Sequence, residues 1–129
     1  LMALVKVGSH PSHGGQVVFN ATASFTLDPS DSGKIFILKD AAITVTLPTL
    51  STNIAGFQVK LISGDGSNHV IAGGASKIYG QIGDFAAGDF ERIAAASGYT
   101  LTNGEIGDWF ELISDGTNWY ISGLTDNGA

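Results

Sequence analysis

The chain has 129 residues, no cysteine, and six basic residues against twelve acidic ones, a formal charge of −6. The length suits one domain that hides roughly two-thirds of its unfolded surface, and the composition excludes disulfides and thiolate metal sites. Arg92 is the single arginine, which argues against nucleic-acid binding, and no apolar run approaches the roughly 20 residues of a membrane span.

Glycine is abundant, with 18 residues, while Lys, Glu and Arg are scarce. Val, Ile, Thr, Phe and Tyr recur in short runs between Gly, Asn, Asp and Ser clusters, the pattern of an all-β domain with many turns. In chain order, Leu4 to Val7 is a short apolar run, and GSHPSHGG after it breaks regular structure. Residues 1–15 are therefore expected as a flexible N-terminal arm, with Met2 as initiator, and 16–129 as a single all-β domain. His10 and His13 lie three apart in that arm, but a Gly/Pro segment does not hold metal ligands in place, so no metal is expected there.

Strands are expected over Val17 to Asn20 and Ser24 to Leu27, then a turn at DPSDSG. KIFILKD (34–40) and AITVTLP (42–48) read as strands. In the second, Ile43, Val45 and Leu47 alternate with Thr44 and Thr46, and Pro48 ends the ladder. GFQVKLIS (56–63) alternates in the same way, with Phe57, Val59 and Leu61 on the apolar face. HVIAG, KIYGQI and FERIAA give shorter strands, with a helical turn as the competing reading of FAAGDFERIAAAS.

GYTLTNGEIGDWFELISDGTNWYISG reads as a three-strand meander turning at Asn103-Gly104 and Asp115-Gly116. A two-residue turn at Asp115-Gly116 sets Leu112 opposite Trp119, Phe110 opposite Ile121 and Glu111 opposite Tyr120. Phe110, Leu112, Trp119 and Ile121 then share a core face, and Trp109, Glu111, Tyr120 and Ser122 point away from it. An outward Trp invites cover by a loop or the arm, or by a subunit or ligand; a register shift at Gly107 is the remaining alternative. Trp109, Glu111 and Tyr120 are accordingly the candidate interface.

No catalytic constellation emerges. A Ser-His-Asp site has no supporting signature. The acidic pairs Asp108/Glu111 and Asp89/Glu91 sit too close in sequence to straddle a glycosidase cleft. GDGSN (64–68) lacks the spaced ligands of a calcium loop and opens no helix to cradle phosphate. The chain is read as a non-enzyme without a cofactor.

TLDPSDSGKIFILKDAAITVTLP, then AGFQVKLIS, a glycine-rich middle, and WFELISDGTNWYISG follow one another in order over residues 26–123. This order resembles small β-structured modules of tailed-bacteriophage virions, found in capsid decoration (cement) proteins, head fibres and tail fibres. The resemblance implies an antiparallel β-sandwich or jelly-roll-like domain of about ten short strands. It also implies a structural role: a homotrimer bound to the major capsid protein on the outer capsid surface, made in the host cytoplasm. Leu4, Val5, Val7, His10 and His13 would form the arm that grips the shell. The alternative is a receptor- or glycan-binding tip module of a tail fibre, its partner a bacterial surface glycan.

Overall fold

A computed structural model describes residues 4–9, 17–102 and 104–126. They form twelve strands: β1 (Leu4–Ser9), β2 (Val17–Ala21), β3 (Phe25–Thr26), β4 (Ile35–Leu38), β5 (Thr44–Thr46), β6 (Gln58–Ser63), β7 (Val70–Ala72), β8 (Ile78–Asp84), β9 (Asp89–Ala96), β10 (Tyr99–Thr100), β11 (Trp109–Ser114) and β12 (Trp119–Thr125). The only helical segments among the described residues are 3-10 turns at Pro29–Asp31 and Thr52–Ile54. Asp28 and Asp31 cap the first reciprocally, each carboxylate accepting a backbone N–H from the other end of the turn.

The strands make an all-β, two-sheet sandwich. The larger sheet has the order β1-β2-β4-β6-β11-β12-β8-β9, the smaller β10-β7-β5-β3. Rings join the layers. Phe25 of the small sheet meets Phe36 of the large one at 5.1 Å between centroids, and Tyr99 meets Phe110 at 5.3 Å. Phe36, Val45, Leu61, Leu112 and Trp119 are fully buried between them. Burial and the neighbouring Glu91 carboxylate push the Tyr99 hydroxyl up to about 12.

The sheets are mixed rather than antiparallel. From β2 to β7 the chain alternates between the two sheets, so successive strands of one sheet enter it in the same direction. That winding makes β2, β4 and β6 parallel neighbours, and likewise β3, β5 and β7. A strand in the opposite layer supplies the crossover that parallel pairing needs, where other folds use a helix. After β7 the pattern changes. β8 and β9 form an antiparallel hairpin, β11 pairs antiparallel with β6, and β12 closes the sheet parallel to β8.

Three local expectations are corrected. Leu4–Ser9 is not part of a mobile arm but edge strand β1, antiparallel to β2, with Leu4 packed on the core. The strand reading of FERIAA holds, within β9 (Asp89–Ala96), and its competing helical turn does not form. The C-terminal meander is reduced to one hairpin, because β10 lies in the small sheet beside β7; Asn103 itself lies outside the described residues. The β11–β12 register is also two residues off: Ser114 pairs with Trp119, Leu112 with Ile121, Glu111 with Ser122 and Ile113 with Tyr120.

The reason for the last correction lies in Asp115. Its carboxylate accepts backbone N–H groups from Thr117 and Asn118 at 2.9 and 2.7 Å, and the Ser114 hydroxyl accepts Gly116 N–H at 2.9 Å. These bonds hold the carboxyl of Asp115 below the usual range. They build a four-residue loop in which Gly116 takes a positive φ of 91°. A two-residue type I′ turn needs positive φ at Asp115 as well, and Asp115 does not have it. A shift of two preserves side-chain parity, so each residue keeps its face while changing its partner.

His69 is buried between the sheets' connections, 3 % exposed. Its Nδ1 accepts Ile43 N–H at 3.2 Å, which leaves Nε2–H to donate to the Asp65 carbonyl at 3.1 Å. Desolvation holds the imidazole below 6.5 and so neutral. The unfolded state then binds more protons as pH falls below that value, and stability falls with it. Denaturant unfolding should show full His69-linked stability above pH 6.5 and a progressive loss below it. His69→Gln, which keeps an acceptor and a donor, should flatten that slope; an unchanged slope would refute the assignment.

Candidate functional site

The outer face of the eight-stranded sheet collects the side chains that the core does not use. Trp109, Glu111 and Tyr120, the candidate interface residues, all lie on it, with Ile113, Ser122 and Leu124. Trp109 is half-buried. Ile62 and Leu124 flank it in register, and the Lys60 ammonium sits 4.9 Å from its ring centroid. Neighbouring side chains of the sheet shield this tryptophan, with Gly107 taking a φ of 102° just before β11 without reversing its direction. Lys60 also pairs loosely with Glu111 at 3.9 Å.

The registers arrange this face in rows that cross the strands. One row is apolar. From Val5 and Asn20 it runs through Ile37 and Ile62 to Trp109. It continues through Leu124 to Gly83 and Phe90. A Cβ on Gly83 would stand 2.5 Å from Leu124 Cδ2, so the leucine covers the glycine and closes the gap towards Phe90. The next row is polar: Lys60, Glu111, Ser122, Gln81 and Arg92 from β6 to β9. A third row holds Gln58, Ile113, Tyr120 and Tyr79. The Tyr120 hydroxyl donates to the Asp115 carboxylate at 3.2 Å, which ties the ring to the hairpin loop.

Two open depressions lie along the polar row. One is bordered by Gln58, Lys60, Glu111 and Ile113. The other, of ≈ 490 Å³, is bordered by Gln81, Arg92 and Ser122 on its polar side and by Trp109, Phe90 and Leu124 on its apolar side.

A second feature sits at one end of the same sheet. Phe85 follows β8 and is 85 % exposed, Phe90 is 72 % exposed and Ile106 is 73 % exposed. The ladder brings them to one end: Phe85 N–H donates to the Thr125 carbonyl, and Asp108 binds the Asp126 N–H beside it. The turn before Asp108 carries Ile106, and Glu105 N–H donates to the Asp108 carboxylate at 2.9 Å. Sequence reading missed this cluster, because its members come from three separate turns and strands.

Of the residues expected to grip a partner through an arm, Val5 and Val7 are exposed on β1, at the sheet's edge, and Leu4 turns inward. His10 and His13 lie outside the described residues. Among the described residues no three His, Asp or Glu side chains converge as a metal site, and no helix is long and apolar enough to cross a membrane. Asp108, one of the acidic residues weighed for catalysis, is 8 % exposed and engaged in backbone capping. Glu111 and Glu91 are likewise engaged, with Lys60 and with the Tyr99 hydroxyl. Comparison with known proteins found no matching family model, no matching curated protein and no matching solved structure.

Proposed function

We propose that the chain is a structural protein of a tailed-phage virion, a decoration protein that binds the outside of the head as a homotrimer and stabilises the shell. The observation that carries the reading is the apolar end of the large sheet. Phe85, Phe90 and Ile106, each more than 70 % exposed, continue there into the row of Leu124 and Trp109. Large aromatic and aliphatic groups left in water at one end of a small acidic domain favour burial against another protein surface. Symmetric association buries such a patch once per subunit. The number three, the capsid partner and the location rest on the resemblance over residues 26–123. A partner that binds only the assembled shell stabilises that shell by mass action. The exposed edge of β1, with Val5 and Val7, together with the segment that follows it, is the second contact in this reading.

Sedimentation should give three times the 13.3 kDa chain mass. Phe85→Ser with Ile106→Ser should release folded monomers, since neither side chain is in the core. A clean monomer of the unaltered chain at micromolar concentration counts against the trimer. Electron microscopy of the parent virion should place the density on the head. Density at the tail tip alone would favour the receptor-binding alternative.

A further inference from the structure

The chain contains two Asp-Gly pairs, Asp65-Gly66 and Asp115-Gly116, both in turns. Such a pair is open to self-modification, because glycine leaves its nitrogen unhindered beside the aspartyl carboxyl. The fold holds the two pairs in opposite ways. We propose that Asp65-Gly66 is a self-modification site, where the Gly66 nitrogen closes on the Asp65 side chain to a succinimide that water reopens as isoaspartate, while the loop at Asp115-Gly116 keeps that pair unreactive. The inference concerns the joint between the sheets and stands or falls separately from the assembly reading.

Ring closure requires the Gly66 amide to give up its proton. Negative charge then develops on the Asp65 carbonyl oxygen, which is conjugated with that nitrogen. Three donors already meet this oxygen: the Ser63 hydroxyl at 2.7 Å, the Ser67 N–H at 2.7 Å and the His69 Nε2–H at 3.1 Å. Ser63 and His69 are buried, so their donors stand in place before the charge appears, the arrangement that stabilises an oxyanion. The Ser67 hydroxyl donates to the Asp65 carboxyl and polarises the carbon under attack. Gly66 is exposed, and among the described residues nothing accepts its N–H. The nitrogen bonds to Asp65 Cγ, and the carboxyl hydroxyl leaves with the amide proton as water. Water then adds to the former backbone carbonyl carbon, whose bond to the Gly66 nitrogen breaks. The chain now runs through Cγ, and water is the only co-reactant.

Asp115 differs at both reacting groups. The Gly116 N–H is committed to the Ser114 hydroxyl at 2.9 Å. The Asp115 carboxylate accepts the Thr117 and Asn118 N–H groups and the Tyr120 hydroxyl. These bonds favour its ionised form, which is a poor electrophile.

Isomerisation matters at position 65 because of where that loop sits. It leads from β6 of the large sheet to β7 of the small one. The product adds one carbon to the backbone and turns the carbonyl shared by Ser63, Ser67 and His69 into a free carboxylate. A charge then stands against the buried Ser63 and His69, at a cost in stability. The joint between the sheets loosens irreversibly as the protein ages.

The test ages the folded full chain at physiological temperature and locates isoaspartate by peptide mapping with electron-transfer fragmentation. Isoaspartate should accumulate at Asp65 at least about tenfold faster than at Asp115, less than one preorganised oxyanion donor can supply. It should pass through an intermediate lighter by one water, and the aged fraction should melt below the fresh one. In denaturant the two sites should react at like rates, because only the fold distinguishes them. Ser63→Ala should slow the reaction at Asp65, and Ser114→Ala, which frees the Gly116 N–H, should speed it at Asp115. If either variant does not fold, the comparison of folded with unfolded chain decides alone. Equal rates at the two sites in the folded chain, faster reaction at Asp115, or a preference for Asp65 that survives unfolding overturns the proposal. A head-bound trimer whose Asp65 stays unmodified would overturn it while leaving the assembly reading in place.

Discussion

Trp119→Ala should be the most damaging substitution of an aromatic residue in this chain, costing about 3–5 kcal/mol of unfolding free energy. Trp119 is 0 % exposed, and its ring meets Phe57 edge-on at 5.7 Å. It stands at the start of β12, where its N–H donates to the Lys77 carbonyl and so begins the β12–β8 pairing. Truncation leaves a cavity between two sheets that are pinned by their ladders, and such a site collapses poorly. One term works the other way. Trp119 Nε1 is buried with no hydrogen-bond partner among the described residues, so its removal relieves an unmet donor. Trp119→Phe separates the two effects, losing less packing and the same orphan N–H, and should cost clearly less than the alanine variant. Trp109→Ala should cost only about 1 kcal/mol, the scale of an exposed cation–π contact and partial burial. Equal shifts of the denaturant midpoint for the Trp119 and Trp109 alanine variants would refute the assignment of one ring to the core and the other to the outer face.

The contrast between these two tryptophans was legible in the sequence, and its source shows what such reading reaches. Alternation with a period of two assigns faces: Val45, Val59, Leu61, Phe110 and Leu112 are buried where their patterns put them. Trp109, Glu111 and Tyr120 likewise point outward on the strength of parity alone. Parity survives a two-residue slip, so the hairpin's faces came out while its pairs did not. Alternation is also silent about neighbours. Nothing in AITVTLP or GFQVKLIS tells a strand whether its partner runs parallel, or that β5 and β6 belong to different sheets. The outer-face rows were therefore hidden. Apart from Trp109 and Leu124, which pair within the β11–β12 hairpin, the row of Ile37, Ile62, Trp109, Leu124 and Phe90 is joined by registers that cross between distant strands, β4 with β6, β6 with β11 and β12 with β8. Strand β1 was missed for a simpler reason: its alternation is brief, and the Gly/Pro/His segment after it dominates the local composition.

Those registers meet their tightest constraint at Gly80, and Gly80→Ala should destabilise the chain by about 3–5 kcal/mol, combining backbone strain with overpacking. Gly80 has φ 150°, and a Cβ there would lie 1.9 Å from the Ile121 carbonyl oxygen and 3.0 Å from the Ile121 nitrogen. The obstacle is backbone, so no side-chain rotation relieves it. On its other side β9 carries an extra residue: the pairing jumps from Ile78–Ala96 to Gly80–Ile93, and Ala95 takes φ 51°. A bulge of this kind tightens the local twist, and the glycine lets β8 follow it while staying paired to β12. Adding a methyl must push β8 away from β12 at the pair that suspends the whole β8–β9 hairpin, including Gln81, Phe90, Arg92 and the Phe85 tip. The variant should therefore lose both stability and the depression bordered by Gln81, Arg92 and Trp109, and proteolysis should cut first within 78–96. Gly88→Ala is the matched control. Gly88 also has positive φ, 71°, but nothing lies within 4 Å of its missing Cβ, so only the left-handed backbone term applies, about 1–2 kcal/mol. If thermal melts of the two variants coincide, the close approach of β8 to β12 does not exist, and the rows built across that seam fall with it.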